Sequence, residues 1–247
     1  MNKAKSIIIL AIFATLISCF WFIGCSSKFA SDSGESGSSE TDTEQVGLES
    51  GYYAIFEPKN GEKSVSGEEL DKAMETLRKR LGNNGYTGAT VEKQDSTLIR
   101  VEIPDVDDYE KVFEIIGGQG KLSFKDSSGT EKLNGSDISN AYQGYDEDGN
   151  PCVVLEFTAH GRKCFAQATG EISSSSDKTM SIYLGDTLIS SPTCEEKIDN
   201  NSAIIKLGSN ASVSEAKTIA SVIKSGSLDI EFELKESGEI TRVPSGN

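Results

Sequence analysis

Val153-Val154-Leu155-Glu156-Phe157 opens the stretch that decides the fold, residues 153–234. Its apolar residues mark a strand. A short amphipathic run over residues 158–172 follows and predicts a helix. Next comes Met180-Ser181-Ile182-Tyr183-Leu184-Gly185-Asp186-Thr187-Leu188-Ile189-Ser190-Ser191-Pro192, in which two alternating apolar arms flank Gly185-Asp186. That pattern predicts a tight hairpin. Ala203-Ile204-Ile205-Lys206-Leu207 reads as a further strand. Ser212-Val213-Ser214-Glu215 is a capping-box pattern opening a helix over residues 213–225, with Val213, Ala216, Ile219, Ala220 and Ile223 as its apolar face. Ile230, Phe232 and Leu234 then alternate with Glu231 and Glu233, so the last strand has one solvated face.

Upstream, Tyr52-Tyr53-Ala54-Ile55-Phe56 reads as a strand. Ser66-Gly67-Glu68-Glu69 is a second capping box, and Leu70, Ala73, Met74, Leu77 and Leu81 recur at helical spacing after it. Val91 belongs to a second strand, and Ile99, Val101 and Ile103 alternate on a third that stops at Pro104. Asp107 is the expected cap of a helix whose apolar face is Tyr109, Val112, Phe113 and Ile116. Leu122 and Phe124 form another expected strand. Strand, helix, strand, strand, helix, strand is the split ferredoxin-like order. Residues 127–135 read as a polar crossing, and residues 141–151, rich in Tyr, Gly, Asp and Asn, as a loop.

The ordered set Gly161 and Phe165, Ile189-Ser190-Ser191-Pro192, Ile204-Ile205, Glu215-Ala216 and Ser225-Gly226-Ser227-Leu228 resembles the extracytoplasmic head of SecD, a subunit of the bacterial protein translocase. The Leu77-to-Arg80 run also resembles the Arg-rich helix end of that family's base lobe. The resemblance implies an α+β fold with a ferredoxin-like base, residues 51–126 and 228–243, and an inserted α+β head, residues 127–227. It places the crossings near Ser127 and Gly226, with Gly226 as pivot and both as hinge candidates. It implies binding of exported, unfolded polypeptide as an accessory to Sec-dependent translocation, with the Sec channel as a further partner. The candidate polypeptide-binding residues are Met180, Ile182 and Leu184, or Ile204 and Leu207, along an exposed strand edge. The other reading is a structural or interaction lipoprotein that kept the fold without the translocase role.

Lys3 and Lys5 precede residues 6–24, which carry no charge. Positive charge before an apolar run keeps the amino end inside and sends the rest outward. Gly24-Cys25 resembles a lipobox, which implies lipidation of Cys25 after removal of residues 1–24; the other reading is a retained membrane helix. Both anchor the folded part at the cell membrane on the extracytoplasmic side. Residues 25–50 are rich in Ser, Gly, Thr, Asp and Glu and predict a disordered acidic tether. The chain carries 24 basic and 39 acidic residues, a net −15. Losing Lys3 and Lys5 leaves 22 against 39, or −17. That balance excludes a nucleic-acid partner of the ordinary kind, which needs basic surface.

No catalytic set is expected. His160 is the sole His and reads as an exposed residue at a helix start. Cys152, Cys164 and Cys194 are too few and too scattered for a four-ligand zinc site, so no metal or other cofactor is expected. Cys164 falls on the expected buried face near Phe165 and Ala168, as a small apolar group. A Cys152–Cys164 disulfide is open, since a strand and its following helix often pack. Asp146, Glu147, Asp148 and Asn150 read as an acidic turn, because the spacing of a calcium loop is absent.

Overall fold

A computed structural model describes residues 48–59 and 65–241. The apolar segment, Cys25 and all but the last three residues of the expected tether lie outside them. The base comprises β1 (Ser50–Pro58), α1 (Gly67–Asn84), β2 (Thr90–Lys93), β3 (Ile99–Ile103), α2 (Tyr109–Gly117) and β11 (Phe232–Thr241). Its antiparallel sheet runs β11-β1-β3-β2. This is the ferredoxin-like order, with the last strand supplied from the far end of the chain. Ser66 caps α1 as a complete capping box. Asp108, not Asp107, is the N-cap of α2, with φ 54° and no side-chain cap bond. Ala54, Phe56, Leu70, Leu77, Val101, Ile103, Phe113 and Ile116 fill the base core.

The expected base strand at Leu122 and Phe124 belongs elsewhere. As β4 (Leu122–Lys125) it pairs with β5 (Glu131–Asn134) and β8 (Ser181–Leu184). Ser123, between the two apolar residues, is buried as well, so both faces of the strand are covered. Alternation fixes which residues turn inward but not which sheet the strand joins. The expected crossing near Ser127 is therefore a hairpin turn within the head: Asp126 O accepts from Gly129 N. Ser127 does not lie between the lobes. The true outgoing crossing is the short link between α2 and β4, and Gly226 lies on the return crossing after α4 (Val213–Ser225).

The head holds two antiparallel sheets, β5-β4-β8-β9 and β10-β7-β6. β9 is Thr187–Ser190, β10 Ser202–Lys206, β6 Ile138–Tyr145 and β7 Pro151–Phe157. The expected loop over residues 141–151 is mostly β6 and the turn into β7. Tyr and Gly concealed it, yet Ala141 is buried opposite Leu155 and joins the core. α3 (Ala159–Ser173) and α4 pack into that core through Phe165, Ala168, Ile172, Ala216, Ile219, Ala220 and Ile223. The three cysteines of the described residues are free, so no Cys152–Cys164 disulfide forms.

The β4–β5 turn is organised by one carboxylate. Asp126 accepts from the Ser128 hydroxyl at 2.6 Å, Ser128 N at 2.9 Å and Thr130 N at 3.0 Å, with Lys132 Nζ at 3.3 Å. The Ser128 hydroxyl bond leads the causes that lower its carboxyl to about 2. A depressed carboxyl stabilises the fold above the ordinary carboxylate range and loses that contribution as pH falls toward 2. Thermal melting between pH 5 and 2 should show this slope in the native chain, and Asp126→Asn should flatten part of it.

Candidate functional site

Arg80 sets the geometry between the lobes. It sits near the end of α1 and is wholly buried. Its guanidinium donates to the carbonyls of Ile116, Gly118 at 2.6 Å, Gln119 at 3.0 Å and Gly226 at 3.0 Å. Ile116 lies in the last turn of α2, Gly118 and Gln119 follow its end, and Gly226 caps α4, so two helix C-termini turn their negative ends toward one cation. Burial lowers the guanidinium to about 9, still protonated at neutral pH. Gly120 beside it has φ +72°, and a Cβ there would lie 2.3 Å from Arg80 Nη2. The two crossings also bond each other directly, Leu228 N to Gln119 O at 2.8 Å. α4 adds Asn84 Nδ2 to Thr218 Oγ1 at 2.9 Å and the Lys111–Glu215 pair at 2.8 Å. Gly226 is thus a held residue in this state, with φ +83° and its carbonyl engaged.

Held this way, the tip of the β8–β9 hairpin faces the base across a cleft of about 700 Å³. Leu184, Gly185, Asp186 and Thr187 form one wall. On the other, Leu234 is the exposed apolar residue, over the buried rings of Phe56, Phe113 and Phe232. Asp108, Glu110, Glu114, Glu231 and Glu233 stand around it with Lys59 and Lys111, so the rim is acidic. A smaller recess of about 190 Å³ adjoins it, adding Ile115, Ile189 and Ile219.

The five candidate polypeptide-binding residues divide. Met180 and Ile182 are 2% and 3% exposed and belong to the head core, so their side chains do not reach a client. Strand β8 also lies between β4 and β9 and has no free edge. The alternation was right, but the apolar arm faces inward. Leu184 lines the cleft. Ile204 is 43% exposed on β10, the edge strand of its sheet, and Leu207 follows it half-buried. Across that sheet Ile204, Val154 and Tyr142 stand in register. The Asp146 carboxylate accepts from Asp148 N and Asn150 N, which makes the acidic run a turn.

Sequence reasoning missed a second grouping. His160 Nδ1 lies 2.9 Å from Asp137 Oδ1, and Cys164 Sγ lies 3.6 Å from the same nitrogen. His160 and Cys164 are four residues apart on α3, which was a visible signal for one helix face. Asp137, 23 residues upstream, was not visible. Neither cleft above is lined by these residues.

Arg80→Met should lower stability by about 3 kcal/mol, because the carbonyls around it lose their donor inside the protein. For a chain of this size that is about 6–12 °C in Tm. A melting scan with unchanged Tm would refute this role.

The fold is similar to that of known proteins. Residues 70–129 match the family described as "Protein translocase subunit SecDF, P1 domain, N-terminal", and residues 119–230 match "SecDF, P1 head subdomain". The protein translocase subunit SecD of Dictyoglomus turgidum is 31% identical over 71% of this chain and 43% of its own length. That of Acidaminococcus fermentans is 27% identical over 77% of this chain and 45% of its own. The chain thus spans less than half the length of these relatives. A crystal structure of SecDF in its super-membrane-facing form covers 76% of this chain at a TM-score of 0.60 and 23% identity. A second SecDF structure, 98% covered, aligns at a TM-score of 0.56 and supports the same fold. Among the described residues no helix is long and apolar enough to cross a membrane. The chain belongs to the SecD/SecDF P1-domain family, with both base and head present.

Proposed function

We propose that this chain binds extended, exported polypeptide in the cleft between hairpin and base, as an accessory to Sec-dependent protein translocation, without hydrolysing it. The observation that carries the reading is the family match across both lobes, since the relatives are protein translocase subunits. The cleft supports it physically. Its volume admits a few side chains, Leu184 and Leu234 offer apolar contact to varied residues, and its carboxylates favour basic segments. Recognition of that kind is broad and weak, because few groups read a specific side chain. The free edge of β10 is the alternative docking place, through backbone pairing. Partners in the Sec channel follow from the same family argument.

The assay mixes the full-length chain, in mild detergent, with reduced, unfolded secretory proteins and follows complex formation and aggregation. Binding should weaken as salt rises. Leu184→Glu should weaken it about tenfold, or about 1.4 kcal/mol, with Ile204→Lys near the unaltered protein. The opposite ranking would place clients on the β10 edge. If several clients fail to bind at high micromolar concentration, the structural-lipoprotein reading stands instead.

We also propose that the chain is held at the membrane on its extracytoplasmic side, by lipid on Cys25 or by a retained amino-terminal helix. The charged start, the apolar run and Gly24-Cys25 support this. Mass spectrometry of protein extracted from membranes should find acylated Cys25 as the first residue. An intact amino terminus would refute cleavage and leave the helix as the anchor.

A further inference from the structure

We propose that Asp137, His160 and Cys164 form a binding site for a thiophilic divalent cation of the zinc class, in the head and outside the lining of the polypeptide cleft. The three donors are a carboxylate, an imidazole and a thiol, the combination that borderline and soft divalent ions select over calcium or magnesium. Their ligand atoms all lie within 4.8 Å of one another. In a tetrahedral zinc site, with Zn–S near 2.3 Å and Zn–N near 2.0–2.1 Å, sulfur and nitrogen stand about 3.6 Å apart. Cys164 Sγ is 3.6 Å from His160 Nδ1 and 3.7 Å from Nε2, so the distance is already right and a turn of the ring is needed to aim the Nδ1 lone pair between sulfur and Asp137. The matching nitrogen-to-oxygen edge is about 3.3 Å. The 2.9 Å between His160 Nδ1 and Asp137 Oδ1 opens to that by a small turn of an imidazole that is 80% exposed.

The surroundings build the site from both sides. Asp137 ends the 3₁₀ turn Gly135–Asp137 and is 5% exposed. Its second oxygen, Oδ2, accepts from Asn134 N at 3.1 Å, which fixes the carboxylate and leaves Oδ1 toward His160. That outer bond is the kind that orients a metal ligand. On the helix side, a Cβ at Gly161 would lie 2.1 Å from the Asp137 carbonyl oxygen, so only glycine lets the first turn of α3 close onto the 3₁₀ turn. Thr158 N to Asp137 O at 2.8 Å draws them together. His160 and Cys164 then present one helix face to Asp137.

On binding, the thiol releases its proton to solvent. The hydrogen that His160 Nδ1 shares with Asp137 passes through solvent to Nε2, which leaves Nδ1 free to bind the metal, and Asp137 Oδ1 becomes the third ligand. The fourth position is left to water or to an outside donor. The ion would clamp the start of α3 to the β5–β6 connection.

The test uses the full-length chain in mild detergent with thiols reduced, titrated with Co²⁺ as the probe and followed by absorbance. Saturable 1:1 binding with a thiolate-to-cobalt charge-transfer band is expected, and added Zn²⁺ should displace the cobalt. Cys164→Ser should abolish the band, and His160→Ala should weaken binding at least about tenfold. His160 is exposed, so its variant keeps the fold and remains informative if Cys164→Ser does not. A band surviving Cys164→Ser overturns the proposal. So does unchanged affinity in His160→Ala, or no saturable binding below about 100 μM metal.

Discussion

Arg80 brings a full positive charge into the interior, and its hydrogen-bond partners are all main-chain carbonyls. An isolated buried ion costs several kcal/mol in lost hydration. Here the compensation is dipolar: the C-terminal ends of α2 and α4 converge on the guanidinium, and each would otherwise bury unsatisfied carbonyls. Cation and helix ends satisfy each other through the two terminal nitrogens, while Arg80 Nε is buried without a partner. Because α2 precedes the head and α4 closes it, the same contact fixes where the inserted lobe leaves the base and where it returns. Gly120 is part of the arrangement, since any side chain there would occupy the space of the guanidinium.

The cleft follows from that constraint. α4 contributes one face to the head core and another to the base helices, so the lobes share a structural element rather than merely touching. Its base-facing side carries Thr218 and Ser221, both buried, whose hydroxyls donate to Ser214 O and Thr218 O within the same helix. Small, self-satisfied side chains let α4 approach α1 closely without leaving a polar group unpaired. The hairpin tip is then held over α2 and β11 at a distance that leaves a lined groove instead of a closed interface.

Much of this was legible in the residues. The Ser66 box, the α1 apolar stripe, the hairpin at Gly185-Asp186 and the α4 period are local signals, and local signals survive without knowledge of the partner. What failed was long-range. Leu122 and Phe124 announce a strand but cannot say which sheet receives it. Met180 and Ile182 alternate correctly, yet which face is wet depends on β4 and β9 beside them. β6 was concealed by Tyr and Gly, whose fit is decided by β7 opposite. Asp137 joins His160 and Cys164 only because Gly161 permits a contact the chain order does not advertise. Arg80 looked like one more basic residue at a helix end, and only burial among carbonyls reveals its role.

The position of β11 bears on how the molecule assembles. β1 pairs on one side with β3, about fifty residues on, and on the other with β11, where the Tyr53–Glu236 contact spans 183 positions. Contacts so distant slow folding, because closure entropy must be met before pairing rewards it. A head that folds first brings Gln119 and Leu228 together and cuts that long closure to a short one. Only the β1–β11 pairing depends on residues beyond the inserted lobe, so the β11-facing edge of β1 has no partner until Phe232–Thr241 is available. During that interval β1 is an open strand edge, the feature through which nascent chains join one another and aggregate.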